Sequence, residues 1–191
     1  MTERPGLDFE FGGRLCLDLT WTLRFRAVHP TEMLVAPRDL VAWLRRAGLP
    51  SSAAPAERDL ARARALREAV YRAACAVTEG RRIDAHDREV LNRLAAAPPP
   101  ALSLGPDGHL RLVAPPGRQI AAAFAAIARD AIELLSAGDG RLRRCEGPRC
   151  SLLFHDGSRP GTRRWCSTTR CGNRVNTRRY RVRRKERSDD A

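Results

Sequence analysis

Four cysteines, Cys145, Cys150, Cys166 and Cys171, are arranged as C-x4-C, fifteen intervening residues, and C-x4-C again. Thiolates are soft ligands, and two short loops that each deliver a pair of sulfurs supply the four tetrahedral corners that Zn2+ takes, without a large core to hold them. Two disulfides or four unrelated thiols are the alternatives. Disulfides belong to oxidising compartments, and Met1–Gly13, with Glu3, Asp8 and Glu10 among Gly and Pro, carries no basic-then-apolar export pattern. The expected compartment is therefore the reducing cytoplasm, and the expected site is a closed four-cysteine Zn2+ site with knuckles looser than those of C-x2-C pairs. His155 lies five residues past Cys150 but is left out, because four sulfurs already complete the tetrahedron. Cys16 sits between Leu15 and Leu17, and Cys75 between Ala74 and Ala76; both read as buried, inert thiols.

The same stretch holds the charge. From Arg141 to Arg187 there are sixteen Arg or Lys against Glu146, Asp156 and Glu186, a net of +13, whereas Met1 to Gly140 carries nineteen basic and seventeen acidic residues. Arginine makes up all but one of the 35 basic residues, which reflects compositional bias, but that bias does not explain why acids become scarce only after Arg141. Such asymmetry is the footprint of phosphate-backbone binding. The stretch from Asn173 to Arg187 has no Pro or Gly and reads as a final helix. On it Arg174, Arg178, Arg181 and Lys185 stand at i, i+4, i+7 and i+11, one cationic stripe of about three turns. Like charges at that spacing repel, so the stripe asks for a polyanionic partner. Arg159, Arg163 and Arg164, between the cysteine pairs on an expected hairpin, are placed to flank the same partner. Trp165 is expected to pack beside Cys166, and Asp156 and Ser158 to tie their loop to its own amides.

Cys171-Gly172-Asn173-Arg174, preceded by Arg164-Trp165-Cys166-Ser167 and by Asp156, Ser158 and Arg159 in the loop between the pairs, resembles the CGNR zinc finger of a bacterial family of transcription regulators. The resemblance spans about residues 142 to 185. Gly12-Gly13-Arg14-Leu15-Cys16-Leu17-Asp18 and Pro37-Arg38-Asp39-Leu40-Val41-Ala42-Trp43-Leu44 are similar to the opening strand and first helix of the ABATE (stress-induced regulator) domain that usually precedes this finger. That family usually follows the Leu-Asp segment with Asn-Thr, where this chain has Trp21-Thr22. The resemblance implies a transcriptional role, whereas charge and cysteines by themselves argue only for a polyanion.

The elements that must position the site follow from periodicity. Leu15 to Leu23 reads as a strand, and Pro37 to Ala47 as a short helix ended by Gly48. Leu60, Ala63, Leu66, Val70, Ala73 and Val77 step by three or four and make one apolar face of a helix from about 56 to 78. Its other face, with Arg58, Arg62, Arg64, Arg67 and Arg72, reads as mostly solvated, with Glu68 pairing to Arg72. Asp84 caps a further helix stopped by Pro98-Pro99-Pro100, and His86 is expected to be exposed on it. Gly105-Pro106-Asp107-Gly108 turns a hairpin, and Ile120, Phe124, Ile127, Ala131 and Leu134 mark a last helix. The expected fold class is α+β: a mainly helical domain with a small sheet or hairpin over 1–140, a four-cysteine zinc module over 141–187 built from a hairpin and a basic helix, and a disordered tail over 188–191.

With 191 residues and 43% hydrophobic content a real core is affordable, and no apolar run reaches membrane-spanning length. No phosphate-cradling G-x4-G-K-[ST], H-E-x-x-H or G-x-S-x-G motif occurs, a closed four-sulfur site leaves zinc no open position, and Asp18 with Thr20 and Thr22 reads as structural hydrogen bonding; no enzymatic activity is expected. The functional expectation is a zinc-dependent DNA-binding regulator whose first domain senses a signal or forms a homodimer. An RNA- or ribosome-associated binder is the alternative, weakened by an aromatic content of 5% that offers few stacking surfaces.

Overall fold

A computed structural model describes residues 8–51, 55–173 and 177. Five α-helices, a short π-helical turn and three two-stranded antiparallel hairpins make an α+β architecture among these residues. Helix α1 (Leu15–Thr20) leads into β1 (Leu23–Arg24), which pairs with β2 (Thr31–Glu32). Helices α2 (Pro37–Arg46), α3 (Glu57–Thr78) and α4 (Ala85–Ala95) follow. Strands β3 (Ala101–Leu104) and β4 (Leu110–Val113) form a hairpin before α5 (Gln119–Ser136), and β5 (Leu142–Arg144) pairs with β6 (Leu153–His155).

The helix starts follow from local chemistry. The Asp39 carboxylate accepts the backbone N–H groups of Val35 and Ala36 at 2.9 Å each, with Pro37 in the first turn of α2. The Asp59 carboxylate accepts the N–H of Ala56 at 3.0 Å ahead of α3, and Asp84 accepts that of His86 at 2.8 Å ahead of α4. The periodic faces meet in one core, where Trp43, Leu60, Leu66, Phe124 and Ile127 are fully buried. Among the described residues no helix is long and apolar enough to cross a membrane.

Two expectations from the sequence need correction. The segment expected as a strand over 15–23 is the helix α1, with β1 only at its end. Cys16, Leu17, Asp18, Leu19 and Thr20 are all buried, because α1 is enclosed by α3, α5 and the C-terminal module, and burial on every side erases the helical period. Thr20 and Thr22 donate their hydroxyls to the carbonyls of Leu17 and Leu19 at 2.7 Å, the local bonding expected of them.

The polar face of α3 is also less solvated than its sequence implies. Arg67 is 3% exposed and forks onto both Glu32 oxygens at 2.7 Å, with further bonds to Glu68 and to the Thr22 hydroxyl. Burial opposes its charge, but the hydrogen bonds and charges of Glu32 and Glu68 outweigh it and raise the guanidinium pKa. Arg64 donates to the Leu34 carbonyl, and the expected Glu68–Arg72 pair is replaced by Glu68 with Arg26 and Arg67, and Arg72 with Asp87 of α4. These partners come from distant segments, which a one-helix periodicity does not see.

Candidate metal centre

The turn between β5 and β6 carries Cys145 and Cys150, Cys166 lies just ahead of a short π-helical turn, Thr168–Gly172, and that turn carries Cys171. The four sulfurs all lie within 4.8 Å of one another. The Cys150–Cys166 and Cys166–Cys171 pairs are each 3.8 Å apart, too far for a disulfide, and all six cysteines are free. A tetrahedron with metal–sulfur bonds of about 2.3 Å has edges of about 3.8 Å, so these donors fit a zinc-sized ion in both type and separation.

The backbone completes the donor set. The N–H groups of Gly147 and Cys166 point at the Cys145 sulfur at 3.4 and 3.3 Å, and Cys145 and Leu152 close the knuckle through an N–H to carbonyl bond of 2.9 Å. Gly147 fits closely here: a Cβ at this position would lie 3.0 Å from the Cys171 sulfur and 3.3 Å from that of Cys145, so the sulfurs would have to give by a few tenths of an ångström. The thiols of Cys150 and Cys166, with those two amides, hold Cys145 far below the usual thiol range as a thiolate. That charge in turn pushes the Cys150 and Cys166 thiols up, with burial adding to it. Four sulfurs this close cannot all ionise without a cation, and a dication at their centre would supply the missing charge.

The loop between the pairs is tied by Asp156, which is fully buried. One of its oxygens accepts the Ser158 hydroxyl at 2.6 Å and the Ser158 N–H at 3.0 Å, and the other accepts the Arg163 N–H at 2.7 Å. These bonds, the Ser158 hydroxyl first, hold its pKa down at about 2. Arg141 donates to the carbonyls of Asp156 and Ser158 and closes the loop against β5.

Two sequence families cover this architecture. The ABATE family, described as "Putative stress-induced transcription regulator", matches residues 13–138, and the family described as "CGNR zinc finger" matches residues 141–184. The chain belongs to the ABATE family. None of the curated proteins matches it.

The ABATE domain reaches into the CGNR finger through Trp21. This side chain follows α1, is 5% exposed, and donates its indole N–H to the Leu153 carbonyl of β6 at 2.8 Å. It shares one buried cluster with Cys145, Leu152, Phe154, Cys166 and Cys171. Gly12 makes room for it, since a Cβ there would lie 2.8 Å from the indole ring. Tyr71 of α3 donates to the Ser151 carbonyl at 3.1 Å, and the Ser151 hydroxyl accepts the Arg26 N–H at 3.1 Å. Trp21, Tyr71, Ser151 and Gly147 were not singled out as site residues from sequence. The one signal available was Trp21 itself, an aromatic with a polar edge next to the apolar segment of α1.

The arginines between the cysteine pairs lie in the loop after β6, not on the hairpin, whose strands flank the first cysteine pair instead. Arg159 is exposed and has no partner among the described residues. Arg164 is exposed and pairs with Glu146. Arg163 turns inward, donating to the Cys166 carbonyl at 2.9 Å with its guanidinium 5.2 Å from the Phe154 ring centre. Its role in the finger is to brace the second knuckle. Trp165 packs against the cysteine cluster as expected, and Gly172 lies against its ring. Arg174, Arg178, Arg181 and Lys185 lie outside the described residues.

Proposed function

We propose that this chain is a zinc-dependent DNA-binding transcription regulator of the bacterial cytoplasm, in which the CGNR finger contacts DNA and the ABATE domain controls how it is presented. The observation that carries the reading is a four-sulfur cluster built into the one strongly cationic part of the chain, where 16 basic residues face three acidic ones between Arg141 and Arg187. Cys145, Cys150, Cys166 and Cys171 would hold Zn2+, which supplies structure and charge neutralisation to the knuckles. Arg159 and Arg164 stand at the finger's exposed surface. The sequence stripe of Arg174, Arg178, Arg181 and Lys185 belongs to the same proposed surface. The proposal assigns no catalytic step to any residue.

The test is a mobility-shift titration of zinc-loaded protein on duplex DNA at several salt concentrations. Each phosphate contact contributes a slope of about −0.9 in log K against log salt, so a footprint of about six contacts loses roughly a thousandfold in affinity between 50 and 200 mM. Failure to retard any duplex near physiological salt would contradict the proposal. Structured RNA outcompeting duplex DNA would move the partner to RNA.

A further inference from the structure

The β3–β4 hairpin exposes an apolar surface found nowhere else at this density among the described residues. Cross-strand partners Leu102 with Leu112 and Leu104 with Leu110 share one face of the ribbon. Leu112 packs on the helical core, but Leu102, Leu104 and Leu110 are 75%, 79% and 69% exposed. The next strand residue, Val113, is 44% exposed on the opposite face. Three leucines at these exposures present on the order of 400 Å² of apolar surface, the size of patch that marks an interface on a soluble protein.

A lone two-stranded ribbon is marginal in water and gains stability from further strands or a packed face. The devices that blunt a free strand edge are scarce here. Prolines bracket the ribbon at Pro98-Pro99-Pro100 and Pro115-Pro116, but none lies within Ala101–Leu104 or Leu110–Val113. The one charged strand residue, Arg111, is tied back to Asp107 of the turn at 2.9 Å.

We propose that this hairpin is a homodimer interface, in which the ribbons of two copies meet face to face or edge to edge across a two-fold axis. Charge selects a second copy as the occupant. Between Pro98 and Gly117 the charged residues are Asp107 and Arg111, which cancel, in a chain whose net charge is +13. Two such cationic molecules approach with least repulsion at this neutral face. Self-pairing of the apolar faces also gives each ribbon the cover it lacks, in the isologous arrangement usual for homodimers. The patch is about half of the roughly 800 Å² per partner in a standard interface, which makes the dimer a weak, transient one that forms at high protein concentration.

The location suits the proposed function. Helix α5 begins beside the hairpin and ends where the finger begins, and its 18 residues span about 27 Å. Dimerisation at the hairpin therefore makes its contact near the start of α5, while the finger follows the end of α5 in the chain.

Sedimentation of nuclease-treated, zinc-loaded full-length protein in high salt, over a concentration series, tests this without DNA. The wild type should pass from monomer to dimer as concentration rises, and the dimer should persist in salt that screens charge contacts. The double variant Leu104→Lys, Leu110→Lys should shift the dissociation constant upward at least about tenfold, with the helical circular dichroism unchanged. Hydrogen exchange of the wild type adds a readout that needs no variant: amides of residues 101–113 should gain protection at high concentration. A wild type that stays monomeric throughout, a double variant that dimerises as well as the wild type, or hairpin exchange independent of concentration would each overturn the proposal. Loss of DNA binding alone would not, because sedimentation does not depend on it.

Discussion

Replacing Trp21 with alanine should loosen the metal site although Trp21 contributes no ligand. The side chain is 5% exposed, lies in the same cluster as three of the four cysteines, and makes a 2.8 Å bond to the Leu153 carbonyl. Truncating a buried aromatic to alanine costs about 3–5 kcal/mol, of which the hydrogen bond accounts for about 1 kcal/mol. Because a small knuckle site gains its order largely on binding metal, most of that loss should appear as metal affinity. About 3 kcal/mol corresponds to roughly a hundredfold weaker zinc binding. The assay is competition against a chelator of known affinity on the full chain, with far-UV circular dichroism as the check that the helices persist. Trp21→Phe keeps most of the ring and loses the N–H bond, so it should fall between the two, weaker than wild type by about tenfold or less. Zinc affinity of Trp21→Ala within twofold of wild type, with intact helices, would refute the argument that the two domains share one core.

Further predictions test other parts of the structure. Gly147→Ala places a Cβ 3.0 Å from the Cys171 sulfur and should weaken zinc binding in the same competition assay while leaving the helical content unchanged. Arg67→Met removes the buried cation shared by Glu32 and Glu68, which keep Arg64 and Arg26 as neighbours, and should lower stability by about 1–3 kcal/mol in denaturant unfolding. The buried Asp18 carboxyl, which accepts the Gly12 N–H at 2.5 Å, has its pKa raised from 3.8 to about 6, first by burial. A pKa higher in the folded state means the folded form binds the proton more tightly. The associated stabilisation is full below about pH 4 and lost as pH rises through 6, on the order of 3 kcal/mol in all. An NMR titration of the Asp18 carboxyl should show its midpoint near 6, and a midpoint near 4 would contradict the assignment. In the DNA titration, Arg159→Ala should reduce the salt slope by about one and weaken binding without changing sequence preference, whereas Arg163→Ala should lower zinc affinity as well.

What the sequence made legible depends on how local each signal is. The four cysteines could be grouped from spacing alone, because a metal site with two ligands per loop repeats its own geometry along the chain. Helices α3 and α5 were legible from apolar steps of three and four, since each buries one face. Helix α1 was not: five of its six residues are buried, and Leu15, Leu17 and Leu19 alternate as a strand would. The partners of Arg64, Arg67 and Arg72 were hidden for a different reason, since Glu32, Asp87 and the Leu34 carbonyl lie on segments that only the tertiary fold brings together. Trp21 combines both difficulties. Its neighbours in the chain belong to one domain and its contacts belong to the other.

The central claim is that one zinc ion, held by Cys145, Cys150, Cys166 and Cys171, organises the cationic part of this chain. Native mass spectrometry of gently purified full-length protein tests it most directly, with Cys166→Ser beside the wild type. The account predicts one zinc per chain in the wild type and weakened or absent zinc in the variant. A wild type that carries no metal, whether its thiols are free or oxidised in pairs, would contradict it.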